Sequence, residues 1–122
     1  MTDGKAAASK RVLIVEDELM IRMLLEGMLT DLGHSVAAEA GGLDEAISLA
    51  KQAEFDVAVL DVNLNGTPVT PVVEILLQRG VPFIFASGYG QRGLPEAYRT
   101  APVLQKPFQA DALDEAIQAV AG

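Results

Sequence analysis

Five short apolar runs recur along this chain, "RVLIV", "HSVAAEA", "DVAVLD", "VPFIFAS" and "PVLQKP", each followed by a stretch with the spacing of a helix. Most are apolar at consecutive positions, so both faces of each strand seek burial. That requires a parallel sheet covered by helices on two sides. The expected fold is α/β, a doubly wound parallel sheet of five strands built from five β-α units.

The helical stretches read as follows. Ile21, Leu24, Leu25, Met28 and Leu32 form one stripe over Leu19 to Leu32, and Gly33 is placed to stop it. Leu43, Ala46, Ile47 and Ala50 make a second stripe. Thr70 is expected to cap a third helix with Pro71 at its first position. Val72, Val73, Leu76 and Leu77 supply that helix's buried face, and Arg79-Gly80 ends it. "QRGLPEAYRT" occupies a helix position but is a poor helix, because Gly93 and Pro95 weaken it. The last helix uses Leu113, Ala116, Ile117 and Val120. Residues 1–10, small and polar, are expected as a loose leader, and residues 11–122 as one domain with no repeat, linker or second unit.

Composition narrows the function classes. A net charge of −8 argues against nucleic acid as a partner, since phosphate binding needs clustered Lys and Arg. With no cysteine, disulfides and thiolate metal sites are out of reach. No apolar run is long enough to span a membrane or make a signal peptide. The expectation is a cytoplasmic domain without membrane contact.

In sheets of this kind ligands bind beyond the carboxyl ends of the strands. The first strand ends in Glu16, Asp17 and Glu18, and the third in Asp61, with Asn63 two residues on. Ser87 ends the fourth, before Gly88-Tyr89-Gly90, and Lys106 ends the fifth, before Pro107. Taken singly, Asp61 is most simply a cap or turn residue, and the three acids the first turn of a helix. Taken together, they crowd carboxylates, a hydroxyl and an ammonium onto one rim. Carboxylates from separate strands repel, and a bound cation relieves that cost. Hard oxygen ligands suit Mg²⁺ (or Mn²⁺). Such a rim is equipped to accept a phosphoryl group on Asp61 as nucleophile, with Lys106 and Ser87 serving the transferring oxygens.

On these residues the sequence resembles a response-regulator receiver domain, the CheY-like phosphoacceptor module of two-component signalling, from Arg11 to Gly122. The resemblance implies the flavodoxin-like fold with strand order 2-1-3-4-5, and that Asp61 is phosphorylated by a histidine kinase or phosphotransfer protein. It also implies that Asp17, Asp61 and the Asn63 carbonyl hold Mg²⁺, with Glu16 acting through water or as a supporting charge. Ser87 falls at the switch hydroxyl and Lys106 at the phosphate-binding lysine, with the Lys106–Pro107 bond expected cis.

Two positions depart from the pattern. Val103 stands where receivers carry a rotating aromatic. Asn65, followed by Gly66, stands where they carry proline. With "PFIFASGYG" these features resemble a subgroup marked by a Phe-Ala-Thr-Gly-Tyr-like stretch, often single-domain proteins, with Ser87 in place of the threonine. Output through an unknown downstream protein is therefore expected from the Gly88–Thr100 stretch, with Tyr89 near the site. Leu19 and Met23, opposite the core stripe, are a candidate surface for the kinase. His34 has no acid nearby in sequence and is expected at the surface, whereas Phe83, Phe85, Tyr98 and Phe108 are expected to pack.

Three rivals can be told apart. An aspartate-nucleophile phosphohydrolase wants an acid where Asn63 stands. A flavodoxin-like phosphate binder wants a phosphate cradle where Glu16-Asp17-Glu18 would repel one. A degenerate receiver acting as an unphosphorylated adaptor would not need Asp17, Asp61, Ser87 and Lys106 together.

Overall fold

A computed structural model describes residues 9–88, 90–98 and 100–121 of the chain. Five strands form the main sheet: β1 (Arg11–Val15), β2 (Ser35–Ala40), β3 (Val57–Asp61), β6 (Phe83–Ser87) and β7 (Val103–Gln105). Their order is β2-β1-β3-β6-β7 and every pairing is parallel. Counting the sheet strands alone, this is the expected order 2-1-3-4-5. Between β3 and β6 the chain adds a small antiparallel hairpin, β4 (Asn63–Leu64) and β5 (Thr67–Pro68), which the periodicity did not announce.

Strand alternation explains why the sheet is doubly wound. Leu13 and Val15 of β1, Ala58 and Leu60 of β3, and Phe85 of β6 point into one core. That core is covered by α2 (Leu43–Gln52) through Ala46 and Ala50, and by α3 (Thr70–Arg79) through Val72, Val73 and Leu76. The intervening residues, Val12, Ile14, Val57, Val59, Ile84 and Ala86, point into a second core. There α1 (Leu19–Asp31) contributes Leu25 and Leu29, and α4 (Ala110–Ala121) contributes Leu113 and Ile117. Runs of consecutive apolar strand residues thus serve two cores, each fully buried Val, Leu, Ile or Phe side chain worth about 1.5–3 kcal/mol.

Several helix expectations need correction. Leu24 is exposed and Leu29 takes its place, because the inward face of α1 runs through Ile21, Leu25, Leu29 and Leu32. Leu77 is likewise exposed, since α3 meets the sheet through Val72, Val73 and Leu76. Thr70 lies inside α3 rather than capping it; Val69 is the cap residue, and no side chain caps the first turn. Gly80 closes the helix as expected, with φ 71° in the left-handed region.

The stretch expected as a poor helix is two 3₁₀ turns, Gly90–Gly93 and Glu96–Tyr98. Gly93 lies at the end of the first turn and Pro95 between the two. Buried Leu94 and half-buried Tyr98 anchor the segment on the α2–α3 core, where Tyr98 meets Phe85 at 5.8 Å between ring centroids.

His34 is a further correction. It is buried, with Nε2 3.1 Å from Asp114 Oδ1 on α4, while the Lys10 backbone N–H donates to Nδ1 at 3.0 Å. Its acidic partner stands 80 positions away in sequence. Ser9 Oγ also donates to the Gly33 carbonyl at 2.7 Å, so the end of the expected leader is tied to the α1–β2 turn.

Candidate functional site

The crossovers leave β1 toward β2 on one side and β3 toward β6 on the other. A crevice therefore opens at the carboxyl ends of β1 and β3. Asp61 is the last residue of β3 and half-buried there, and Glu16 follows β1 directly, almost fully buried. Glu16 is held in register by its own N–H, which donates to the Ala40 carbonyl at 3.0 Å.

Lys106, directly after β7, reaches across the rim. Its Nζ donates to Glu16 Oε2 at 3.0 Å and Oε1 at 3.3 Å, and lies 3.6 Å from Asp61 Oδ2. The Lys106–Pro107 peptide is cis, as expected. Ser87 is buried at the end of β6, and its carbonyl accepts the Lys106 backbone N–H at 3.0 Å. The hydroxyl-bearing and ammonium-bearing residues are thus fastened to one another through the main chain.

The charge balance is strained toward the negative. Burial, and then the Glu16 charge, push the Asp61 carboxyl up to about 7; the Glu16 hydrogen bond and Asp17 push the same way, and Lys106 opposes them. Burial alone would lower Lys106, but its hydrogen bond to Glu16 and the charges of Asp61, Glu16 and Glu18 outweigh that and raise it. One oxygen from each of Glu16, Asp17 and Glu18 lies within 4.8 Å of the others. An all-carboxylate donor set beside an acid that resists ionisation suits a small hard divalent cation.

Two further groups shape the rim, and the sequence reading had not singled out either for this role. Asp17 Oδ2 accepts the Asn65 backbone N–H at 2.8 Å, which docks the β4–β5 hairpin on the acidic loop. Asn65 (φ 52°) and Gly66 (φ 84°) form its turn, and Asn-Gly is the strongest short-range sequence signal for such a hairpin. Arg22 of α1 turns back so that Nη1 donates to the Glu16 carbonyl at 2.8 Å.

The remaining candidates lie around this centre. Asn63 is exposed in β4, opposite Pro68. Val103 is half-buried in β7, in register with Phe85. Leu19 and Met23 are exposed on α1, as expected. Tyr89 lies outside the described residues. A depression of about 330 Å³ borders Lys106 and Pro107, lined also by Leu104, Gln105, Gln109 and Ala112; its lining includes none of the acids.

A family model described as "Response regulator receiver domain" matches residues 12–118. The chain is a response-regulator receiver domain. Receivers are signalling domains of two-component systems, and they generally bind Mg²⁺ at an acidic site of this kind. This receiver is similar to the transcriptional regulatory protein PdtaR of Mycobacterium tuberculosis, at 37% identity over 96% of this chain and 59% of the relative. The receiver thus spans little more than half of that relative's length. It is also similar to the chemotaxis protein CheY of Thermotoga maritima, at 32% identity over 91% of this chain and 97% of CheY. Among solved structures it resembles SdrG from Sphingomonas melonis Fr1, at 38% identity and a TM-score of 0.81, covering 93% of this chain and 98% of that one. A second SdrG structure, in a BeF3-activated conformation, is 39% identical with a TM-score of 0.77, over 89% of this chain and 93% of that one. Among the described residues, no helix is long and apolar enough to cross a membrane.

Proposed function

We propose that this receiver accepts a phosphoryl group on Asp61 from the phosphohistidine of a histidine kinase or phosphotransfer protein, and signals by binding a downstream protein. The observation that carries this reading is Lys106 Nζ standing 3.0 Å from Glu16 and 3.6 Å from Asp61. An ammonium there satisfies a buried acid before transfer and can turn to the phosphoryl oxygens during it.

Each residue has a distinct task. An Asp61 carboxylate oxygen attacks phosphorus as the bond from phosphorus to the donor nitrogen breaks, and the imidazole keeps the bonding pair. Lys106 compensates the charge on the equatorial oxygens. Ser87, fixed at the end of β6 by its backbone bond to Lys106, offers a hydroxyl to one of those oxygens. Asp17 and Asp61, with Glu16 in support and the Asn63 carbonyl, are the groups to hold Mg²⁺. When bound, that ion supplies charge neutralisation and in-line alignment for phosphoryl transfer. Asn63 in place of a second acid speaks against repeated hydrolytic turnover. The presence of Asp17, Asp61, Ser87 and Lys106 on one rim speaks against an adaptor that works only unphosphorylated. The existence of a BeF3-activated state for SdrG supports the same reading. We place the receiver domain in residues 11–122 and expect it in the cytoplasm.

Intact-mass measurement after incubation with Mg²⁺ and acetyl phosphate tests the assignment. The parent should gain one phosphoryl mass, and Asp61→Asn should gain none. Equal gain in both proteins would move the site away from Asp61.

A further inference from the structure

We propose that Arg22 is a positioning residue for the acidic rim: its guanidinium, lodged between Glu39 and the bare backbone of Gly41, fixes the Glu16 carbonyl and with it the acidic loop. This rests on the reading of that rim as the Mg²⁺-dependent phosphoacceptor site.

The loop that carries the acids has a mechanical problem. Glu16 makes the last ladder bond of β1, to Ala40, and α1 starts only at Leu19. In between, Glu16, Asp17 and Glu18 repel one another, and no side chain caps the first turn of α1. Arg22 answers from within the helix. Its backbone N–H closes the first helical turn on the Glu18 carbonyl at 3.0 Å, while its side chain bends back to the Glu16 carbonyl at 2.8 Å. Both ends of the acidic loop are thereby tied to one residue. A guanidinium is suited to this, because its donors point along fixed directions and it cannot lose its charge.

The guanidinium is itself held. Arg22 Nε lies 3.5 Å from Glu39 Oε1 on the outer strand β2, and both side chains are largely covered. Glu39 is pressed in turn by Glu26: burial and then the hydrogen bond with Glu26 raise its carboxyl, and Arg22 opposes the rise. Gly41 completes the seat. A Cβ built there would overlap Arg22 Nη1 and crowd its Cζ at 3.3 Å, its three nearest atoms all belonging to that guanidinium, and Gly41 is not in a left-handed conformation. Alanine at position 41 should therefore be tolerated by the backbone and should displace the flexible guanidinium instead.

This gives a test with two independent routes to one defect. Mg²⁺ affinity is measured by calorimetry for the parent, Arg22→Gln, Arg22→Lys, Gly41→Ala and the Arg22→Gln/Gly41→Ala double variant. The Glu16 carbonyl ¹³C shift is read in each metal-free protein. Arg22→Gln should weaken Mg²⁺ binding about tenfold, and Arg22→Lys should rescue little, since a point charge does not reproduce the fork. Gly41→Ala should weaken binding in the same direction and move the Glu16 carbonyl shift as Arg22→Gln does. The double variant should be no worse than Arg22→Gln alone, as coupled residues are non-additive. Affinities within twofold of the parent for Arg22→Gln, or additive losses in the double variant, would overturn the proposal. Failure of the parent to bind Mg²⁺ at all would overturn the phosphoacceptor reading along with it.

Discussion

Lys106 serves two acids at once, and that sets the cost of removing it. Glu16 is almost wholly buried, and the Lys106 ammonium bonds both of its oxygens. Lys106→Met keeps the length of the side chain but leaves a buried carboxylate without its cation. Loss of one partner of a buried pair costs about 3 kcal/mol, so urea denaturation should show a drop of that size at pH 8. Asp61 behaves in the opposite sense. Its carboxyl is raised to about 7 in the folded chain, so the folded state holds a proton that the unfolded state releases near its ordinary range. The stability this contributes is complete below about pH 4 and is lost as pH rises through about 7. In Mg²⁺-free buffer, Asp61→Asn should therefore melt close to the parent at pH 4 and clearly above it at pH 8. Adding Mg²⁺ at pH 8 should close or reverse that gap. A gap independent of pH would show that burial does not hold Asp61 in its neutral form. Asp61 and Glu16 were legible in the sequence because each follows an apolar run directly, and Lys106 because it closes the short run Val103–Gln105 ahead of Pro107. His34 and Arg22 were not, since their partners Asp114 and Glu39 are set by which helix packs against which strand or helix.

Among the elements, legibility followed periodicity. The five sheet strands and four helices announce themselves by runs and stripes that the two cores then use. In α1 only Leu24 leaves the expected stripe, with Leu29 buried in its stead, because apolar residues on nearly every side leave the helix orientation to packing. The β4–β5 hairpin is too short for any period and is carried by the Asn65-Gly66 turn alone. The segment after β6 shows the converse case, a doubt about helicity that the 3₁₀ turns bear out. Within it, Tyr98 N–H donates to the Pro95 carbonyl at 2.8 Å and Ala101 N–H to the Tyr98 carbonyl at 2.9 Å. Leu94 and Tyr98 are its anchors in the core. Short 3₁₀ turns have poorer hydrogen-bond geometry than an α-helix and open locally at low cost. With half-buried Val103 in place of a rotating aromatic, the proposed function makes this segment the expected reporter of the state of Asp61. Hydrogen exchange over residues 88–100 should change when beryllofluoride and Mg²⁺ are added to the parent and stay constant in Asp61→Asn. Equal protection in all four samples would send the readout elsewhere.

At the scale of the whole molecule, the question is how a protein-borne phosphoryl group reaches a recessed carboxylate. Asp61 is half-buried at the carboxyl end of β3, and α1 starts on the same rim, directly after the acidic loop that follows β1. The outward face of α1 is apolar there: Leu19 is 60% exposed, Met20 82%, Met23 60% and Leu24 44%. These four positions, spaced i, i+1, i+4 and i+5, lie side by side on one helix surface. Gly27 continues the strip, with open space where a side chain would stand. On the proposed function, a macromolecular donor covers this lip to bring its histidine to Asp61, and it would gain apolar burial by doing so. A donor as small as acetyl phosphate has no need of it. Leu19→Lys combined with Met23→Lys should therefore cut kcat/KM for transfer from a kinase that phosphorylates the parent by about tenfold or more. The rate with acetyl phosphate should stay within about twofold, and Tm should hardly move, because both side chains already face solvent. Parallel losses with the two donors would mean that the substitutions disturb the acidic loop itself, and the lip would no longer be a docking surface.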